Sequence, residues 1–174
     1  MNRKILVSLA TLLAAGAVAV GSGATFTSST GNTISAVTAG TLSQSNSKSG
    51  QAIFNLTNLK PGDTLNGSLA LTNTGSLPAS FSLTEVSSSN TFTGANLTLD
   101  IVDTTAKATV YSGSFGGLAD GTKNVLGDWA AGTTHNFTFT VKLAQDTPNA
   151  DQGKTAAAVY AWDSVQLAGA TTNQ

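Results

Sequence analysis

His135-Asn136-Phe137-Thr138-Phe139-Thr140-Val141-Lys142-Leu143 alternates polar and apolar side chains without a break. A strand turns successive side chains to opposite faces. A period of two therefore buries Phe137, Phe139, Val141 and Leu143 and leaves Asn136, Thr138, Thr140 and Lys142 in water. The stretch reads as a half-buried strand, which needs neighbours to cover its apolar face.

The sequence on either side supplies them. Over residues 64–73, Leu65, Leu69 and Leu71 oppose Ser68, Ala70 and Thr72. Residues 79–86 set Phe81 and Leu83 against Ser80, Ser82 and Thr84, and Leu97, Leu99 and Ile101 alternate with Thr98 and Asp100. Residues 52–56 and Val110-Tyr111 read as shorter strands. Residues 156–167 form the last strand, apolar on both faces near Val159-Tyr160-Ala161-Trp162. Lys60-Pro61-Gly62-Asp63, Asn73-Thr74-Gly75-Ser76 and Ala131-Gly132-Thr133 have the composition of tight turns. The Gly-rich stretch 113–127 is left room for one helical turn around 118–125, and Trp129 is placed in a loop at the core edge. Many short strands at period two predict an all-β fold, an antiparallel β-sandwich of jelly-roll type. Its core is expected to hold Phe81, Leu99, Phe137, Phe139 and Val141, with Tyr160 and Trp162 packed on it.

The amino-terminal stretch is of a different kind. Asn2-Arg3-Lys4 is positive, residues 5–20 are apolar and uncharged, and Gly21-Ser22-Gly23-Ala24 is small. Ser22 and Ala24 stand at the −3 and −1 positions of a cleavage site before Thr25, so residues 1–24 read as a helical secretory signal peptide. The competing reading, a retained anchor, meets a run short of the ~20 residues a bilayer requires. Residues 25–49 are polar and small, with Phe26, Ile34, Val37 and Leu42 as thinly spread apolar positions, and form a flexible arm or a first strand. Residues 43–50 have linker composition. The sandwich is assigned to residues 50–174.

Composition narrows the function. Charged residues are 10% and hydrophobic ones 40% of the 174-residue chain, which is no signature of disorder. Beyond residue 24, six lysines face nine acidic side chains, so no basic patch points to nucleic acid or to an anionic membrane. No membrane association is expected after cleavage, and no carboxy-terminal anchor signal is evident. There is no cysteine and one histidine, His135. That excludes thiol catalysis and a two-histidine zinc motif, and His135 reads as an exposed strand-end residue. No G-x-S-x-G elbow occurs, and a Ser-His-Asp triad through His135 has no local support.

Glu85 is the sole glutamate, so a pair of catalytic glutamates is impossible. Asp100 and Asp103 flank a strand end. Asp146, Asn149 and Asp151 share a loop and offer oxygen ligands to calcium, but turn-forming roles fit them better. The sequons at Asn55, Asn66, Asn96 and Asn136 read as turn and strand surface. Trp129, Tyr160 and Trp162 would serve a sugar platform only if exposed together. No cofactor is expected.

Two turn motifs and their flanks resemble a known family. Leu59-Lys60-Pro61-Gly62-Asp63, running to Leu71-Thr72-Asn73-Thr74-Gly75-Ser76-Leu77-Pro78-Ala79, is similar to the TasA/camelysin family of secreted bacterial matrix-fibre proteins. So are Asn149-Ala150-Asp151-Gln152-Gly153-Lys154 before a strand ending at Val165-Gln166, and Gly23-Ala24-Thr25-Phe26 with Thr30-Gly31-Asn32 and Ala39-Gly40-Thr41-Leu42. The junction lacks the second aromatic found after the signal in that family.

The resemblance implies a jelly roll, export with cleavage by a signal peptidase, and a structural role in extracellular fibres of the cell surface or biofilm matrix. It also brings a metallopeptidase label that one histidine does not support, and the expectation is a protein that is not an enzyme. Partners would be further copies of the chain or related matrix proteins. Assembly would proceed by donor-strand exchange, with Phe26, Ile34, Val37 and Leu42 entering the next subunit. The alternative is a secreted carbohydrate- or cell-wall-binding module.

Overall fold

A computed structural model of the chain describes residues 39–53 and 59–171. Among them are eight strands: β1 (Gln44–Asn46), β2 (Thr64–Asn73), β3 (Ala79–Asn90), β4 (Leu97–Asp103), β5 (Ala108–Ser114), β6 (Lys123–Trp129), β7 (Thr134–Leu143) and β8 (Ala156–Gln166). The helical element described is a single 3-10 turn, Asn149–Asp151. All pairings are antiparallel, in a five-stranded sheet ordered β1-β2-β7-β4-β5 and a three-stranded sheet ordered β6-β3-β8. The chain passes repeatedly from one layer to the other, giving the expected antiparallel β-sandwich, with strands divided five and three.

β7, the strand whose alternation is cleanest, lies at the centre of the larger sheet. Leu69 faces Phe137 from β2, and Ile101 faces Phe139 from β4. Phe81, Leu83, Leu99, Ile101, Phe137, Phe139 and Val141 are all fully buried, including the five core positions expected from the pattern. Aromatic contacts join the two layers: Phe137 meets Trp162 at 4.8 Å between ring centroids, and Phe139 meets Tyr160 at 5.8 Å.

Turn chemistry behaves as read at Lys60-Pro61-Gly62-Asp63. Asp63 N–H donates to the Lys60 carbonyl at 2.9 Å, and Gly62 takes a φ of 91°, which a side chain would strain. Asn73 does more than turn the chain. It is fully buried, and its amide donates to the carbonyls of Leu77, Trp129 and Ala130 while its oxygen accepts from Gly75 N–H. One side chain thereby fixes the corner where β2 ends and β6 turns into β7.

The structure corrects the readings of residues 118–129 and 43–50. The stretch given a helical turn around 118–125 contains the start of β6, and Trp129 is the last residue of that strand, 3% exposed. Glycines and polar residues hid this strand, since only Val125 and Leu126 interrupt them before Trp129. Residues 52 and 53 lie outside any strand; Phe54, Asn55 and Leu56 fall outside the described residues. The linker composition of residues 43–50 conceals β1, which pairs with β2 through Gln44–Asn73 and Asn46–Leu71. Immediately before it, Ser76 N–H donates to the Thr41 carbonyl, and Thr74 and Gly75 donate to the Ser43 carbonyl.

Candidate functional site

β8 is one edge of the smaller sheet, and β6 is the other. Among the described residues β8 pairs with β3 alone, through eleven residue pairs from Ala79–Gln166 to Asn90–Ala156. The Trp162 carbonyl points to the open side, where Gln44 Nε2 donates to it at 2.7 Å. Strand geometry then turns the backbone groups of Ser164, two residues on, the same way. Beside this edge lies a cleft of about 650 Å³. Its apolar lining is Ile53, Leu69, Phe115, Ala158, Tyr160 and Trp162, and its polar rim runs from Asn46 to Gln51. An open edge beside an apolar cleft has the two things an added strand needs: unpaired backbone groups and pockets for alternate side chains.

The interior next to the cleft holds an unusual cluster. Glu85 on β3 pairs in register with Tyr160 on β8 and is fully buried. Neither carboxylate oxygen of Glu85 nor the Tyr160 hydroxyl has a well-aligned hydrogen-bond partner among the described residues, and the nearest polar group to each is the other. Burial first, and then the Glu85 charge, push the Tyr160 phenol well above its ordinary range. Tyr111 is raised for the same two reasons in the same order, while its hydroxyl donates to the Ser114 carbonyl at 2.6 Å.

His135 is not an exposed strand end. Its ring stacks on Trp129 at 3.9 Å, Trp129 stacks on Phe81 at 4.1 Å, and His135 Nδ1 lies 2.6 Å from Asp103 Oδ2. Asp103 is buried, and its other oxygen accepts from the N–H groups of Thr105 and Ala106. The sequence placed Asp103 at a strand end and His135 at a strand start. The β4–β7 pairing that joins them lies 32 residues apart in sequence and leaves no local pattern. The pair orients the histidine toward structure: one nitrogen is bonded and one face is covered.

The two turn motifs converge. Leu59-Lys60-Pro61 and most of Asn149 to Lys154 line a second cleft, about 780 Å³, together with Phe92, Leu97 and Leu143. Asp151 holds this end together. Its carboxylate accepts from Lys154 Nζ at 2.9 Å, Asn96 Nδ2 at 2.8 Å and Thr93 Oγ1 at 2.7 Å. Lys154 first, then Asn96, hold the Asp151 carboxyl far below the usual carboxylate range despite its burial, with Thr93 adding to the effect. Asp151 thus ties the β7–β8 loop to the β3–β4 loop, and its oxygens are taken by N–H and O–H donors rather than arranged for calcium. Asp146 and Asn149 are exposed beside it.

Other sequence candidates are dispersed. Trp129 is buried, and Tyr160 and Trp162 pack half-buried on the core, so the three are not exposed together. Ser22, Ala24, Thr25, Phe26, Ile34 and Val37 lie outside the described residues. Leu42 is 42% exposed, between two residues bonded to their own domain. Every histidine, aspartate and glutamate of the chain falls between Asp63 and Asp163, within the described residues. Among these residues no three metal-ligating side chains gather.

A search among curated proteins finds no match. A family model described as camelysin metallo-endopeptidase matches residues 1–96, starting in the leading apolar stretch and running through β2 and β3 to the threshold of β4. That match spans more than half of the 174 residues, and the chain belongs to the camelysin family.

Proposed function

We propose that the protein is a secreted structural component of an extracellular matrix or surface fibre, released by cleavage before Thr25 and assembled by strand addition between copies. Family membership supports a secreted matrix-type protein. The observation that carries assembly is the β8 edge, long, apolar and paired on one side, beside a cleft of strand-accepting character. The donor is the leading arm, with Phe26, Ile34 and Val37 as the side chains to be pocketed. At Leu42 the chain is already tied to its own domain through Thr41 and Ser43, so the donated strand ends before Gly40. Ordering a backbone costs ~1–2 kcal/mol per residue, and a sparsely apolar arm offsets this best where ladder hydrogen bonds await it.

The family description names a metallo-endopeptidase, and the donor set does not fit a zinc peptidase centre. The sole imidazole is engaged with Asp103 and Trp129, and the acidic residues are not grouped around it. The reading is therefore of a protein that works by backbone pairing. Chelator-sensitive proteolysis by purified protein, abolished by one substitution in this chain, would refute that part.

Electron microscopy of the purified mature protein tests the assembly. Filaments are expected from the intact chain, and their loss is expected in Ser164→Pro, which removes an outward N–H from β8 while leaving its ladder to β3. Filaments undiminished in both Ser164→Pro and a deletion of residues 25–38 would overturn strand addition at this edge.

A further inference from the structure

The outer face of the three-stranded sheet is bare of cover among the described residues, and its composition is unlike a solvent face. Cross-strand pairing puts Ser80, Ser82 and Thr84 of β3 in a central column, with Val125 and Lys123 of β6 on one flank and Val165, Asp163 and Ala161 of β8 on the other. Val159 continues the β8 flank. Val125 is 75%, Val159 56% and Val165 57% exposed, while Ser82 and Thr84 in the middle are below 9%. The face is a column of small side chains, Ser82 and Thr84 buried among them, with exposed Val125 on one flank and exposed Val159 and Val165 on the other. One ion pair, Lys123 Nζ to Asp163 Oδ2 at 3.4 Å, crosses it, and Asp128 stands at its margin beside Ser80.

We propose that this face packs against the same face of a second copy, side by side, independently of any strand exchanged at the β8 edge. β-branched and small residues on a twisted sheet are what face-to-face sheet packing at ~10 Å uses. Charge selects the occupant. Near its middle the face carries Lys123 and Asp163 at diagonal positions, with Asp128 at the margin, and a two-fold axis passing between Lys123 and Asp163 sets each Lys123 against Asp163 of the partner subunit. An isologous contact is self-complementary in just this way. A nucleic acid or an anionic membrane would want an excess of cations that the face does not have. Strand addition extends an assembly along one direction; this contact joins copies across it.

The absence of cysteine makes the test clean, since one introduced thiol is the only thiol. Ala161→Cys lies on the face near the proposed axis, and Lys142→Cys lies on the outer face of the other sheet as control. Mild oxidation of the mature protein should give roughly tenfold more covalent dimer from Ala161→Cys than from Lys142→Cys, because pairing raises the effective thiol concentration. Adding Val125→Lys and Val165→Lys should remove that excess while circular dichroism shows the fold retained. Equal yields at the two positions, or an excess that survives both lysines, would overturn the proposal. So would protection of Ala161→Cys by the chain's own leading segment, read as no cross-link until residues 25–38 are deleted. A cross-link at Ala161→Cys without filaments supports this contact and counts against strand addition; filaments without the cross-link do the reverse.

Discussion

On the outer face of the five-stranded sheet, polar side chains bond one another across the strands. Thr72 meets Thr134 at 2.8 Å, and Thr140 donates to Asn66 at 2.9 Å. The three-stranded sheet turns Val125, Val159 and Val165 outward instead. Its inside differs as well. Each buried side-chain polar atom found without a partner among the described residues belongs to β3, β6 or β8: Thr84 Oγ1, the Glu85 carboxylate, Trp129 Nε1 and Tyr160 Oη. Buried polar groups are nearly always satisfied in folded proteins, so such a concentration in one layer carries meaning. Both sheets have edge strands paired on one side among the described residues, β1 and β5 in the larger and β6 and β8 in the smaller. What sets the smaller one apart is its apolar outer face and its unpaired polar atoms within.

The largest effect should come from the larger sheet. Phe139 is fully buried on the central strand, paired in register with Gly67 and Ile101 and touching Tyr160 and Trp162. Phe139→Ala should cost about 3–5 kcal/mol in urea unfolding of the mature protein. A loss within about 0.5 kcal/mol, the surface range, would remove the larger sheet from the centre of the core.

The unpaired atoms of the smaller sheet predict the opposite sign. A buried acceptor without a donor costs about 1–3 kcal/mol, so Glu85→Leu should stabilise the monomer by an amount of that order. Destabilisation instead would mean that Glu85 has a partner in solution, and the contrast between the sheets would shrink. Glu85→Leu also separates folding from function: a more stable monomer that assembles less well would show that the buried carboxylate acts on assembly through Tyr160 of β8.

How much of this was legible follows from which interactions are local. Period two alone identifies β2, β4 and β7 and the buried Phe81, Leu99, Phe137, Phe139 and Val141, because alternation is recorded residue by residue. β6 escaped because Gly127 and a bulge between Phe81 and Ser82 break its period, and β1 escaped because three polar residues carry no pattern. The Asp103–His135 pair and the Thr93 contact of the Asp151 clamp join partners 32 and 58 residues apart, which no spacing in the sequence encodes; only Lys154 of the clamp is local. The turn motifs were visible as motifs. That they line one cleft became visible only in the fold.

Asp151 supplies the acid-side test. Its pKa is lowered in the folded state, so its contribution is fully present above the ~3.9 of an unfolded aspartate and is lost as pH falls through the folded value. Asp151→Asn should lower Tm at pH 7, and the gap to the wild type should narrow steadily below about pH 4. A gap that stays constant down to pH 2 would show that the side chain acts through shape and not through charge. This clamp joins loops at the end of the sandwich, so the exposed face of the smaller sheet should be indifferent to it.

The smallest effect on stability should come from the most exposed valine. Val125 is 75% exposed at the flank of the smaller sheet, and a lysine there meets water in the isolated subunit. Val125→Lys should therefore change unfolding free energy by no more than about 0.5 kcal/mol. On a face built for solvent the substitution would also leave association untouched. On a face that packs against its own copy it places two new cations beside a pair of Lys123 side chains, where burial makes like-charge repulsion severe. The informative outcome is a variant with the wild-type Tm and a sharply reduced sedimentation coefficient. A Tm that falls by many degrees would instead mean that Val125 is covered within its own subunit, and the difference between the two outer faces would be one of composition alone.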